Sequence, residues 1–271
     1  MIYKQNLHTH STYCDGKDGL EEIILSALEK GFESIGFSSH SGMLFSKIPS
    51  LLQEKIPSYR AEIARLKEKY RGRIDVYCGL EYDMCSETDL TQFDYVLGAV
   101  HYFDIQGEKV GFDRSAAQVQ EVIDGYFAGD GLKYAKAYYQ KLATLADNPH
   151  IDIVAHFDLI AKHSEKQRFF DEESKKYQTA ALECINALVQ KIPVFEINTG
   201  AMARGYRTSP YPAPFIMKYL KQAGAKLTVS SDCHQKEKLD FAFDEAVLYA
   251  KAHGFSELFV FNGKGFDGIK I

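Results

Sequence analysis

The sequence lacks tryptophan, and its five cysteines include no pair spaced as CxxC. An odd count without paired spacing excludes a disulfide framework and a cysteine-rich zinc site, and it fits a reducing compartment. No run approaches the ~20 apolar residues that a membrane-spanning helix requires. There is no basic block either: 32 Lys and Arg against 37 Asp and Glu leave a net charge of −5, spread along the chain. A nucleic-acid surface would need clustered positive charge. Neither the basic nor the apolar region of a secretory signal precedes the first strand-like segment, so a cytoplasmic location is expected. Linkers rich in Pro, Gly or Ser, low-complexity tracts and internal repeats are also missing. Residues 1–271 are therefore read as one domain.

What is present is an alternation of strand-like and helix-like segments in a chain that is 45% hydrophobic, enough for a large core. Leu20, Ile23, Ile24, Ala27 and Leu28 recur at helical spacing over residues 19–30, with Gly31 as the stop. Further helices are predicted at 53–70, at 115–147 with a break at 129–131, and at 173–190, 214–223 and 240–253. Short apolar strands are predicted at 2–7, 34–39, 73–80, 93–100, 151–155, 193–198, 226–231 and 257–261. Residues 102–114 form an excursion between them. The alternation predicts βαβ units and a parallel sheet, an α/β fold.

The informative residues come just after the strands. His8 and His10 stand two apart, so on an extended segment both rings point to the same side. Asp15 follows in a loop that Gly16 lets turn sharply. His40, Glu81, His101 and His156 each stand just past the last apolar residue of a strand, and Asp232 and His234 follow another. One histidine in such a place is ordinarily a packed or loop residue. In a parallel barrel, however, all strand C-termini open on one face, where such folds build their sites. Six of the nine histidines would then converge. Mixed His, Asp and Glu donors suit divalent transition metals such as Zn, Mn or Fe. A carboxylate-bridged pair of such cations lowers the pKa of water and neutralises phosphoryl oxygens.

The segments His8-Thr9-His10-Ser11, Ser39-His40, Gly79-Leu80-Glu81-Tyr82, Val100-His101-Tyr102, Ala155-His156-Phe157 and Ser231-Asp232-Cys233-His234 resemble the PHP (polymerase and histidinol phosphatase) superfamily. Val100-His101-Tyr102 and His156-Phe157-Asp158-Leu159 resemble its histidinol-phosphate phosphatase branch. The resemblance covers essentially the whole chain. It implies a distorted (β/α)7 TIM-like barrel holding up to three divalent metals. By position it implies His8, His10, Glu81 and Asp232 at the first metal, with Glu81 bridging to a second held also by His101 and His156. Asp15, His40 and His234 would hold the third. Many relatives have His where this chain has Asp15, a change that bears on the metal the third site prefers. The implied activity is metal-dependent cleavage of L-histidinol phosphate, a small phosphate monoester, in histidine biosynthesis. Glu81, Asp232 and His234 would be catalytic.

Phosphate also calls for a fixed cation. Arg204 and Arg207 lie in the loop after the strand ending at residue 198, and Lys162 follows His156 by six residues; all three are candidates to grip phosphate. Arg114, in the excursion, is read as solvent-exposed, with a lid residue as the alternative, and Cys14 and Cys233 are read as small packing residues. Asp158, Glu196, Phe103 and Phe112 are candidates to meet the imidazole and amine. Two other readings stand beside this one. A PHP phosphoesterase could act on nucleotides or nucleic-acid ends, which the acidic balance disfavours, or the barrel could bind metal without catalysis.

Overall fold

Seven short strands pair in parallel in the order in which the chain makes them. They are β1 (Gln5–Asn6), β2 (Ser34–Phe37), β3 (Asp75–Asp83), β4 (Tyr95–Ala99), β5 (Ile153–Val154), β6 (Val194–Asn198) and β7 (Lys226–Ser230). This computed structural model describes residues 3–271, so the start of the first predicted strand, at Ile2, lies outside the described residues. Beyond β1 and β7 the sheet closes on itself. Thr9 bridges Cys233 in parallel, with His10 N donating to Cys233 O at 2.8 Å and Cys233 N donating to His8 O at 3.0 Å. A sheet without edges, buried on both faces, explains why the strands read as continuous apolar runs.

The interior is narrow. The Tyr95 ring crosses it, and its hydroxyl donates to the Leu7 carbonyl. The ring passes so close to β3 that a Cβ at Gly79 would come within 2.2 Å of it. Around the barrel run α1 (Leu20–Glu29), α2 (Ile56–Lys69), α3 (Ala116–Phe127), α4 (Gly131–Ala143), α5 (Lys175–Val189), α6 (Gly200–Ala203), α7 (Pro214–Gln222) and α8 (Phe243–Ala252). Helix α1 buries Leu20, Ile23, Ile24 and Ala27, the stripe expected from its spacing. Ser115, Asp130 and Ser174 cap α3, α4 and α5 by accepting backbone N–H groups. Ala128 and Gly129, both at positive φ, make the break between α3 and α4.

Two regions differ from the sequence expectation. The 102–114 excursion contains a hairpin, Tyr102–Ile105 paired antiparallel with Glu108–Gly111. Its turn places Gln106 and Gly107 at φ 54° and 85°, the left-handed pair that matches strand twist. The predicted last strand does not join the barrel. Glu257–Phe261 pairs with Phe266–Lys270, a strand not expected from the sequence. The Phe261 ring of this second hairpin packs 5.0 Å from Tyr77 and 5.5 Å from Tyr95. Among the described residues no helix is long and apolar enough to cross a membrane.

Candidate metal centre

The seam that closes the barrel also assembles the site. Thr9 and Cys233 face each other in register, so His8 and His10 on one side lie against Asp232 and His234 on the other. His10 Nε2 is 3.3 Å from Asp232 Oδ1, and the His10 and His234 rings stack at 4.1 Å. A second bridge, His40 to Glu81, does the same between the ends of β2 and β3. Gly16 lets the next loop fold tightly under His10. A Cβ there would lie 2.4 Å from the His10 carbonyl carbon. Asp15 is thereby brought 3.5 Å from His40 Nε2 and 3.3 Å from His234 Nε2.

Glu81 is the hub. Its Oε1 lies 2.8 Å from His156 Nε2, 3.4 Å from His8 Nε2 and 3.5 Å from His101 Nε2. Its Oε2 lies 2.6 Å from His40 Nδ1 and 3.6 Å from His10 Nε2. One carboxylate thus faces five imidazoles. His156 and Asp232 are held at positive φ, 20° and 48°, a backbone cost concentrated at the site. Burial pushes the Glu81 carboxyl up, but His40, His8 and His101 outweigh it and hold it well below the usual carboxylate range. Burial, helped by His234 and His40, pushes His10 down to about 3, which keeps its ring neutral and its lone pair available.

Three groups of donors lie close enough to share an ion. His10, Asp15, His40 and His234 each offer a ligand atom within 4.8 Å of one another, as do His8, Glu81 and His156, and His8, His10 and Asp232. Buried atoms aimed inward make no hydrogen bond: His8 Nε2, His10 Nε2 and Asp15 Oδ1. Unpaired lone pairs of this kind are costly unless a cation completes them, so this nitrogen and oxygen donor set fits divalent metal.

Two carboxylates stand behind the ligands: Glu196, expected from the sequence to meet the imidazole and amine, and Asp83, which the sequence did not single out. Glu196, on β6, is fully buried; its Oε1 lies 2.7 Å from His8 Nδ1 and its Oε2 accepts the His156 N–H at 2.8 Å. It is a brace beneath the site and does not reach substrate space. Asp83 Oδ2 accepts the His101 N–H at 2.7 Å and lies 3.3 Å from that ring's Nδ1. The remaining recognition candidates are also displaced. Asp158 is fully buried and accepts from Ala213 N at 3.0 Å, while Phe103 and Phe112 stack in the core.

The three candidate phosphate cations separate. A cavity of about 310 Å³ opens over the cluster, and Arg204, Lys162 and Arg114 line it. Arg204 donates to Asp232 O at 2.9 Å and Oδ2 at 2.8 Å. Lys162 Nζ is 2.8 Å from Asp113 Oδ2. Arg207 is instead buried away from the cavity, donating to Ala161 O at 3.2 Å and lying over the Tyr211 ring at 4.9 Å. Cys14 and Cys233 are buried beside ligands, Cys14 Sγ 3.4 Å from His10 Nδ1.

The pattern that defines the PHP domain matches residues 6–200. The chain belongs to the PHP domain family. Among family relatives it is similar to the probable histidinol-phosphatase of Schizosaccharomyces pombe, 26% identical across 96% of this chain and 90% of that protein. It is likewise similar to the histidinol-phosphatase of Bacillus subtilis, 24% identical across 90% of this chain and 98% of that one. In fold it is similar to the histidinol phosphate phosphatase of Lactococcus lactis, solved with zinc, L-histidinol and phosphate. That match has a TM-score of 0.74 at 20% identity and covers 98% of this chain and 100% of the other. The PHP barrel expected from the sequence is the fold observed.

Proposed function

We propose that this PHP protein is a metal-dependent phosphomonoesterase that hydrolyses L-histidinol phosphate to L-histidinol and phosphate. It would serve histidine biosynthesis in the cytoplasm as a single domain. The observation that carries this reading is the ring of metal-type donors around Glu81 with the Arg204 guanidinium on the wall of the same small cavity. Full-length similarity to curated histidinol-phosphatases supports the substrate.

By this reading His8, His10, Glu81 and Asp232 hold one cation, Glu81 with His101 and His156 a second, and Asp15, His40 and His234 a third. Zinc, manganese and iron all suit these donors, and the zinc in the Lactococcus lactis structure favours zinc. When bound, such cations supply charge for the phosphoryl oxygens and lower the pKa of water. The protein's own contribution is placement. Arg204 presents a guanidinium that Asp232 fixes in orientation, so phosphate oxygens meet a preset donor. His234, partly exposed at the cavity wall, would turn Nε2 to the third cation while its Nδ1 lies 2.9 Å from Asp232 O, so the proton for the leaving alcohol would come from water. A cavity of about 310 Å³ sits at the lower end of small-ligand sites, ~300–1,000 Å³, and suits a compact monoester better than a nucleic-acid strand.

The test is phosphate release by metal-loaded protein from L-histidinol phosphate, a nucleotide panel and p-nitrophenyl phosphate. A kcat/KM preference for L-histidinol phosphate of ~100-fold, about 2.7 kcal/mol, is expected. Equal turnover across the panel would remove the biosynthetic assignment, and no turnover with any metal would remove the enzyme reading.

A further inference from the structure

A phosphatase for L-histidinol phosphate must recognise an ammonium group as well as a phosphate. Four carboxylates line the cavity, and three of them, Asp15, Glu81 and Asp232, belong to the donor cluster. The fourth is Asp113. We propose that Asp113 selects monoesters that carry an ammonium group, a role that rests on the function proposed above.

Asp113 is built into place. Its backbone carbonyl lies 3.0 Å from Nε2 of the buried His163, whose ring meets Tyr206 edge-on at 5.2 Å. Lys162 Nζ lies over the same Tyr206 ring at 4.9 Å and donates to Asp113 Oδ2 at 2.8 Å. The Lys162 contact uses Oδ2 only; among the described residues Oδ1 takes part in no hydrogen bond. Burial pushes this carboxyl up, and Lys162 and His101 outweigh it, so the group is ionised.

The consequence is a cavity wall that carries a matched anion and cation side by side. A ligand bearing both phosphate and ammonium can satisfy each, with Oδ1 accepting from the ammonium while Lys162 and Arg204 face the phosphate oxygens. A nucleoside monophosphate brings only negative charge and meets Asp113 as a repulsive neighbour. The acids expected from the sequence cannot play this part, because Asp158 and Glu196 are fully buried and neither lines the cavity.

The deciding experiment compares L-histidinol phosphate with the imidazolylpropyl phosphate that lacks only the amine. For the wild-type enzyme kcat/KM should favour the aminated ester by ~10-fold or more, the worth of one charge-assisted hydrogen bond. Asp113→Asn keeps the shape and removes the charge; it should raise KM for the aminated ester ~10-fold and leave the other within about threefold. A purely structural Asp113, acting by holding Lys162, would weaken both esters equally, and that result overturns the proposal. So does a wild-type enzyme that turns over both esters alike, an outcome that needs no variant to fold and leaves the phosphatase reading intact. Preference for nucleotides would instead overturn the function, and this inference with it.

Discussion

His8 Nδ1 lies 2.7 Å from Glu196 Oε1 at the bottom of the site, and this contact points the other ring nitrogen, Nε2, toward Glu81 and Asp232. The same carboxylate accepts from His156 N, Asn198 Nδ2 and Ser230 Oγ. A carboxylate behind a ligating histidine fixes its tautomer and raises its basicity. Burial pushes Glu196 up, but His8 outweighs it and holds the acid ionised.

Glu196→Gln should therefore weaken metal binding ~10- to 100-fold while the barrel still folds. Activity measured against buffered free metal checks this. The expected result is a curve displaced to higher metal that recovers near wild-type turnover at saturation. An unmoved curve would show that Glu196 serves packing alone.

Arg204 offers a second test, because its guanidinium bonds both the carbonyl and the carboxylate of Asp232. A lysine keeps the charge but loses the planar fork whose two nitrogens reach the two acceptors separately. Arg204→Lys should lower kcat/KM ~100-fold, the order seen when one fixed donor to a developing oxyanion is lost. Steady-state kinetics with thermal melts would separate this from a folding effect. Activity within about threefold of wild type would reduce Arg204 to a brace for Asp232.

How far the sequence carries is clear from these residues. Strand ends were legible because parallel strands are short apolar runs and the ligand-type residues stop them. The resemblance then fixed the barrel. Depth along the barrel axis was not legible. Glu196 alternates with Phe195 and Ile197, a pattern that shows which way it faces and not whether it reaches the cavity or the layer below. Arg204 and Arg207 share one loop and one chemistry, and only the turn after α6, with Gly205 at φ 71°, sends them to opposite sides. The Gln106-Gly107 turn escaped because the usual signal for a two-residue turn is Asn or Asp before Gly. The strand Phe266–Lys270 escaped because Asp267, Gly268 and Lys270 break its apolar pattern.

Arg207 gives a prediction opposite in kind to Arg204. It ties the loop after β5 to the loop after β6 through Ala161 O, and its side chain is almost wholly buried. Arg207→Ala should cost roughly 1–3 kcal/mol of stability by removing that bond and the packing on Tyr211. KM at a temperature well below the melt should stay within about threefold of wild type. Denaturant unfolding and kinetics on the same sample check both halves. A large KM change without destabilisation would return Arg207 to the phosphate site.

The loop that carries Asp15 can be tested by one methyl group. At Gly16 a Cβ would meet His10 C and Ser11 N at 2.4 Å, and both are backbone atoms that cannot swing away. Gly16→Ala must therefore push the loop outward and draw Asp15 away from His40 and His234, the group proposed to hold the third cation. Gly125→Ala is the matched control, since a Cβ there meets nothing within 4 Å and the residue sits inside α3. There alanine should stabilise by about 0.5–1 kcal/mol. The expected contrast is reduced bound metal and a kcat at least ~10-fold lower for Gly16→Ala, against full metal content and wild-type rate for Gly125→Ala. Metal analysis after gel filtration, with a far-ultraviolet spectrum to show the barrel intact, reads the difference. Full metal content in Gly16→Ala would mean that Asp15 holds no cation, because the strain can be relieved only by moving the loop that bears it.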